Sequence, residues 1–339
     1  MKIKPSLTRK TLIVLIFLTK QLTGQSLLKT VLIKDFKTIR GIEINNCKIT
    51  YRTLGKINVD KSNVILWPTW FNGKSEHICD GLAPVIMDTT SLFIISVDAF
   101  GNGNSSSPSN SPNFPKIAIR DMVNSTYILL TKYLEITHVK AIVVISMGAM
   151  QTFEWLTAYP GFTDKAIAIE GTPKQSSYDL LFWKTQAAVI NMAKKNKKSM
   201  DLAMKTVSNV GLLNTYSPSF WFRKYPAEKV DSIMLAAQKN TLQVNPYNFL
   251  CQLDAMITHD IYRNSGKALN EIKSAIQSDV LIIVSKSDHA VNPNNGILFA
   301  KAINAKLIEI DTDCGHNAIF CDEGTKAIKI NVNNFLKNG

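Results

Sequence analysis

The 339-residue chain has little of what several function classes require. It holds only five cysteines, Cys47, Cys79, Cys251, Cys314 and Cys321, and no Cys-x-x-Cys pair, so a zinc module has no support. Histidine, aspartate and glutamate show no metal-ligand spacing, and neither a metal nor a cofactor is expected. The Gly101-x-Gly103 stretch resembles no phosphate loop. No internal repeat is visible, and no apolar run is long enough to span a bilayer. Acidic side chains are scarce, 26 against 39 basic ones, a formal net charge of +13. The excess lysines are scattered, however. The densest cluster, Lys194-Lys-Asn-Lys197-Lys198, has no interleaved aromatics to stack on bases. It reads as a solvated surface, and nucleic acid is not an expected partner.

The N-terminus is more specific. Lys2, Lys4, Arg9 and Lys10 precede the apolar run Thr11-Leu-Ile-Val-Leu-Ile-Phe-Leu18, and the small residues Thr23, Gly24 and Ser26 follow. A basic segment, a short apolar one and a small-residue exit make a secretory signal peptide. Residues 1–26 are therefore expected to be removed, leaving an exported periplasmic or extracellular protein with no stable membrane insertion. Export permits disulfides. Cys314 and Cys321 are near enough in sequence to pair, but unpaired buried thiols are the simpler expectation.

Short apolar runs recur after the leader. Cys47-Lys-Ile-Thr-Tyr-Arg-Thr-Leu-Gly55 alternates as an antiparallel strand should. Runs near residues 63–67, 92–98, 140–145, 166–170, 280–285 and 306–310 suit strands buried on both faces of a parallel sheet. Helical patterns over residues 119–133 and 151–159 lie between them, the second stopped by Pro160-Gly161. The alternation predicts an α/β fold with a mostly parallel, doubly wound sheet. Residues 172–270 break it with helical segments rich in Met, Trp, Phe and Tyr. They are expected to form an inserted helical cap, its aromatics packing mainly on one another and partly lining a pocket. The core is then residues 27–171 and 271–339.

Three residues follow predicted strands in a telling order. Ser146 ends Lys140-Ala-Ile-Val-Val-Ile-Ser146-Met-Gly148, a buried strand breaking into a helix. Asp288 follows the strand that starts at Val280, and His316, in Asp313-Cys-Gly-His316-Asn, follows the strand that starts at Lys306. A serine hydroxyl is a weak nucleophile unless a base takes its proton and a third group fixes that base. Ser146 as nucleophile, His316 as base and Asp288 as its orienting acid meet that need. The oxyanion would be met by the Met147 amide and by one from Pro68-Thr-Trp-Phe-Asn-Gly73, with Phe71 preferred and Trp70 the alternative. Val144 stands where the elbow pattern Gly-x-Ser-x-Gly has its first glycine, which should crowd the turn. Asp98 is expected as a turn residue. His77, His138 and His259 are expected as surface or packed histidines, with His77 near enough to the oxyanion loop to line the cleft, and His289, beside Asp288, is a weaker candidate base because it lacks the glycine-turn context.

At these residues the chain resembles the homoserine O-acetyltransferase-like branch of the α/β-hydrolase superfamily. The likeness rests on Ile49-Thr-Tyr-Arg-Thr-Leu-Gly-Lys-Ile-Asn58, the loop Phe100-Gly-Asn-Gly-Asn-Ser-Ser-Ser-Pro108 and the helix entry Ile119-Arg-Asp-Met122. It also rests on Ser146-Met-Gly-Ala-Met-Gln-Thr-Phe-Glu-Trp155, Ser287-Asp288 and Gly315-His316. It runs from about residue 45 to the C-terminus and is weakest in the cap. The resemblance implies an α/β-hydrolase fold, Ser146, Asp288 and His316 as a triad, Phe71 and Met147 amides as the oxyanion hole, and often a homodimer through the cap. The chain departs from true homoserine acetyltransferases at Ala187 and Asp254, where that group carries arginines, one of which reads the substrate carboxylate. Export also separates it from cytoplasmic acetyl-CoA. The expected function is therefore serine-based acyl transfer, most simply hydrolysis of a small ester or acyl compound. The rivals are O-acetyl transfer to an amino-acid-like alcohol and a non-catalytic binding module on a hydrolase scaffold.

Overall fold

The computed structural model describes residues 26–194 and 197–337. The expected leader thus lies almost wholly outside the described residues. No helix among them is long and apolar enough to cross a membrane.

Eight strands form one sheet: β1 (Lys29–Lys37), β2 (Glu43–Leu54), β3 (Val64–Leu66), β4 (Phe93–Val97), β5 (Val139–Ile145), β6 (Thr163–Ile169), β7 (Asp279–Ser285) and β8 (Lys306–Ile310). Their spatial order is β1-β2-β4-β3-β5-β6-β7-β8. β2 pairs antiparallel with β1 and with β4, and every other pairing is parallel. From Ala166 to Ile169 in β6 and from Leu281 to Ser285 in β7 every residue is buried. That is the signature of strands covered by helices on both faces, and it explains their unbroken apolar runs.

The helices that matter to the site are α1 (Ile119–Ile128), α2 (Met147–Ala158), α3 (Ser177–Met192), α4 (Lys197–Thr215), α5 (Pro218–Lys224), α6 (Val230–Thr241), α7 (Pro246–Ile257), α8 (Asn294–Ile303) and α9 (Asp322–Lys337). α2 leaves β5 after the single residue Ser146, and all its residues except Ala158 are buried. α3 starts with a reciprocal cap, in which Ser176 Oγ accepts from the Asp179 amide and Asp179 Oδ2 accepts from the Ser176 amide. Asn245 caps α7 by accepting from the Tyr247 and Asn248 amides, with Pro246 at the first helical position. α3 to α7 lie in sequence between β6 and β7, where the alternation was expected to break.

Two features differ from the expectations. β1 was not anticipated: of its nine residues only Ile33 and Phe36 are buried, since it is an edge strand paired on one side. Cys314 and Cys321 are joined by a disulfide, whereas unpaired thiols were the simpler expectation; Cys47, Cys79 and Cys251 are free.

Candidate active site

Ser146, Asp288 and His316 meet at the C-terminal ends of the parallel strands. Ser146 has φ 58° and ψ −126°, a backbone conformation that side-chain-bearing residues rarely adopt. Its amide donates to Ile169 O at 2.9 Å, so the neighbouring strand end holds the turn. Val144 fits this turn because Gly148 faces it: a β-carbon on Gly148 would lie 3.3 Å from Val144 Cβ and 3.0 Å from Pro68 O.

His316 Nε2 lies 2.8 Å from Ser146 Oγ, and His316 Nδ1 lies 2.7 Å from Asp288 Oδ2. Asp288 Oδ1 accepts from the Ala290 and Val291 amides at 2.8 and 2.9 Å, which fixes the carboxylate. Ser287 Oγ accepts from the Gly315 amide and donates to Thr312 O, tying the Asp288 loop to the His316 loop. Gly315 takes a positive φ of 62°, and a β-carbon there would strike Thr215 O at 2.7 Å. The His316 turn is therefore pressed against the end of α4. Burial by itself disfavours the imidazolium, but the charge and hydrogen bond of Asp288 outweigh it, with Glu170 and Asp179 adding to the pull. Together they raise His316 to about 9.

Met147 is the first residue of α2, so its amide has no acceptor inside the helix. The Phe71 amide has no acceptor among the described residues. The 68–73 loop is held from several sides: Gln151 Nε2 donates to Thr69 O, the Asn72 amide donates to Gln252 Oε1, and Gln252 Nε2 donates to Phe100 O. Gln252, on α7, was not singled out from the sequence, because a lone glutamine in a helical run carries no signal. Trp70 turns its carbonyl to the Gly73 amide and its ring toward His77, 6.0 Å away between centroids.

Ser146 and His316 open into a cavity of about 440 Å³. Phe71, Phe182, Trp183 and Phe249 line it, with Phe71 edge-on to Phe249 at 4.7 Å. Thus Phe182 and Trp183 of α3 and Phe249 of α7 line the cavity that holds Ser146, whereas Trp221 of α5 packs on Tyr216 and Tyr225. The polar lining comes from Gln186, Ser208, Thr215, Asn240, Thr241 and Asn317. Apart from His316, no ionisable side chain lines it among the described residues.

The remaining candidates lie apart from this chain of hydrogen bonds. His77 accepts from the Lys74 amide and does not line the cavity. His138 pairs with Asp164 at the surface. His259 is buried, 3.4 Å from Glu154. The His289 ring faces Tyr178. Asp98 is more than a turn residue: it is buried and accepts from Thr50, Ser75 and Asn102, binding β2 to the two loops beside it.

The fold has clear parallels. The α/β hydrolase fold family model matches residues 63–322. The chain is 30% identical over 302 residues to an ethyl acetate hydrolase of Pseudomonas veronii, covering 79% of this chain and 85% of that one. It is 25% identical to a homoserine O-acetyltransferase of Methanohalophilus mahii, covering 86% of this chain and 68% of that one. Among solved structures, the acetyl esterase MekB superposes with a TM-score of 0.85 at 24% identity, covering 93% of this chain and 98% of that one. An acetylester hydrolase from Corynebacterium glutamicum superposes with a TM-score of 0.84 at 23% identity, covering 92% and 96%. Resembling both hydrolases and acyltransferases, the chain belongs to the α/β-hydrolase fold family and is an enzyme of that fold.

Proposed function

We propose that the protein is an exported serine esterase that hydrolyses small, uncharged esters through an acyl-enzyme on Ser146. The observation that carries this reading is the hydrogen-bonded series Ser146–His316–Asp288 opening into an aromatic cavity that, among the described residues, has no ionisable lining residue other than His316. His316 Nε2 takes the Ser146 proton as Oγ attacks the ester carbonyl, and the Met147 and Phe71 amides receive the oxyanion. The imidazolium, stabilised by Asp288, returns the proton to the leaving alcohol. Water then repeats the sequence on the acyl-enzyme.

Hydrolysis is favoured over transfer to homoserine by the cavity itself. The α3 position of Ala187 offers no cation for a substrate carboxylate, and the neighbouring Gln186 is neutral. The similarity to the ethyl acetate hydrolase points the same way. Export is supported by the Cys314–Cys321 bridge, which suits an oxidising compartment.

The test is turnover of p-nitrophenyl acetate against acetyl transfer from acetyl-CoA to homoserine, with fluorophosphonate labelling of wild type and Ser146→Ala. Labelling confined to wild type and preferred hydrolysis support the reading. Saturable, faster transfer to homoserine replaces it with the acetyltransferase reading, and absence of labelling and turnover replaces it with a binding scaffold.

A further inference from the structure

Glu170 follows β6 directly, level with Ser146 in the sheet. Ile145 pairs with Ile169, and Ile169 pairs with Ile283. The Ser146 amide donates to Ile169 O, and the Glu170 amide donates to Ile283 O at 2.8 Å. Glu170 therefore occupies the strand end between the one carrying Ser146 and the one leading to Asp288.

The residue is 2% exposed, and no side chain among the described residues hydrogen-bonds either carboxyl oxygen, the Ala318 amide being the donor that faces it. The backbone is held there at φ 51°. It cannot readily swing aside, because a β-carbon on the next residue, Gly171, would lie 2.3 Å from Ala149 Cβ of α2. Gly171 O in turn would lie 3.1 Å from a β-carbon on Gly296 of α8. A buried carboxyl with so few partners is costly, and an apolar side chain would fill the same space at lower cost. An acid placed at such a cost points to a use of it.

The ionisable groups facing Glu170 are few. Burial pushes its carboxyl well above the usual range; His316 pulls it back, and Asp288 reinforces the rise. The Ala318 amide, two residues past His316, also faces the carboxyl. Asp179, at the start of α3, acts on His316 and Asp288, but its oxygens are engaged by the Ser176 and Asn292 amides.

We propose that Glu170 is an electrostatic partner of His316, seated between the Ser146 and Asp288 strand ends, that governs the pH at which the imidazole can act as a base. Glu170 is a positioning residue rather than a group that touches substrate, and the proposal rests on the reading of His316 as the base. One proton can be held by the pair in two ways, as imidazolium with carboxylate or as imidazole with carboxylic acid. Only the second leaves Nε2 free to accept from Ser146. A neutral amide at position 170 removes the partner that favours the imidazolium, so the competent form persists to lower pH.

The experiment is the pH dependence of kcat/KM for p-nitrophenyl acetate in wild type, Glu170→Gln and Glu170→Asp, with melting temperatures alongside. Glu170→Gln should move the acidic limb down by roughly half a unit or more. Glu170→Asp, which keeps the acid but withdraws it by one methylene, should place the limb between the two. A lower melting temperature with an unmoved limb makes Glu170 merely structural and overturns the proposal. If Glu170→Gln does not fold, an Asp variant whose limb coincides with wild type overturns it equally. Ser146→Ala and His316→Ala serve as separate controls. If they retain turnover, the base reading itself fails; if they abolish it and the Glu170 limb stays fixed, only this proposal fails.

Discussion

Gly148 is the space into which Val144 fits, for a β-carbon on Gly148 would sit 3.3 Å from Val144 Cβ. The elbow thus keeps its glycine on the helix side and tolerates a branched residue on the strand side. Gly148→Ala should press on Val144 and also on Pro68 O, 3.0 Å away, the carbonyl that opens the Phe71 loop. The expected cost is about 1–3 kcal/mol of stability, with kcat/KM falling at least tenfold. Adding Val144→Gly should restore part of both, because only one of the two contacts is relieved. Thermal melts and ester kinetics of the two single variants and the double variant measure this. A double variant no better than Gly148→Ala would make Pro68 the sole obstacle.

The three candidate site residues were legible because each lies just past a predicted parallel strand; the runs before Ser146 and Asp288 are apolar and buried, whereas the strand before His316 lies at the sheet edge with only Ile310 buried. Ser146 follows Ile145, Asp288 follows Ser285 by three residues, and His316 follows Ile310 by six. The order along the chain then limited which fold could bring them together. Glu170 was hidden in plain view, since its placement depends on strand register, which a single strand's sequence does not state. β1 was missed because Lys29-Thr-Val-Leu-Ile-Lys-Asp-Phe-Lys37 buries only two side chains and reads as polar. The partner of Cys314 was open because a seven-residue separation permits pairing but does not require it.

On the proposed mechanism His316 should carry the pH dependence. With its imidazole raised to about 9 by Asp288 against burial, it should be mostly protonated at neutral pH. The value of kcat/KM should therefore rise with pH toward a limb near 9, about tenfold per unit below it. Stability should move the opposite way. The imidazolium–carboxylate contribution is fully present below the unfolded value of 6.5 and is lost as pH rises through about 9. Melting temperatures of wild type minus His316→Gln, measured across that window, test the second trend. Asp288→Asn should lower the limb while reducing kcat by about 10⁴-fold, since the imidazole loses both its counter-charge and its tautomer control. A limb unmoved by Asp288→Asn would assign the titration to another group.

The Cys314–Cys321 bridge brackets His316 on both sides. Closing so short a loop should contribute about 2 kcal/mol at most. Its local effect should be larger, because the turn it closes sets the 2.8 Å approach of Nε2 to Ser146. Reduction with dithiothreitol, or the double change Cys314→Ala and Cys321→Ala, should lower kcat more than it raises KM. Kinetics before and after reduction give the answer, and equal activity in both states would show that Ser287 and the Gly315 packing hold the turn unaided.

Glu154 of α2 is wholly buried and paired with Arg120 of α1 at 2.6 Å, with Asn264 at 2.6 Å and with His259 at 3.4 Å. Arg120 also donates to Thr157 of α2. Removing one partner of a buried ion pair leaves the other charge uncompensated, a loss of about 3–5 kcal/mol. Arg120→Ala should therefore lower the urea midpoint strongly, whereas Arg120→Met combined with Glu154→Gln should recover much of it. Recovery would show that the network anchors the helix behind Ser146 through charge balance. A double variant as unstable as Arg120→Ala would mean that packing of the arginine stem carries the effect instead.

Substrate charge gives the sharpest test of the cavity. Phe71, Phe182, Trp183 and Phe249 supply apolar walls, and Gln186, Ser208, Asn240 and Asn317 supply neutral donors and acceptors. A neutral acyl chain gains burial against those walls, roughly 0.8 kcal/mol for each methylene enclosed. A carboxylate brought to the same place sheds its water and, among the described residues, meets no cation except the His316 imidazole already paired with Asp288, which costs several kcal/mol. Two p-nitrophenyl esters of matched length, the butyrate and the hemisuccinate, share a leaving group and differ mainly in that charge. Wild type should prefer the butyrate by at least about a hundredfold in kcat/KM, or about 2.7 kcal/mol. Gln186→Arg places a guanidinium on the α3 wall and should narrow the ratio, mostly through the hemisuccinate KM. Comparable turnover of both esters by wild type would mean that the acyl chain leaves the cavity toward solvent, and the aromatic walls would then belong to the alcohol side of the substrate.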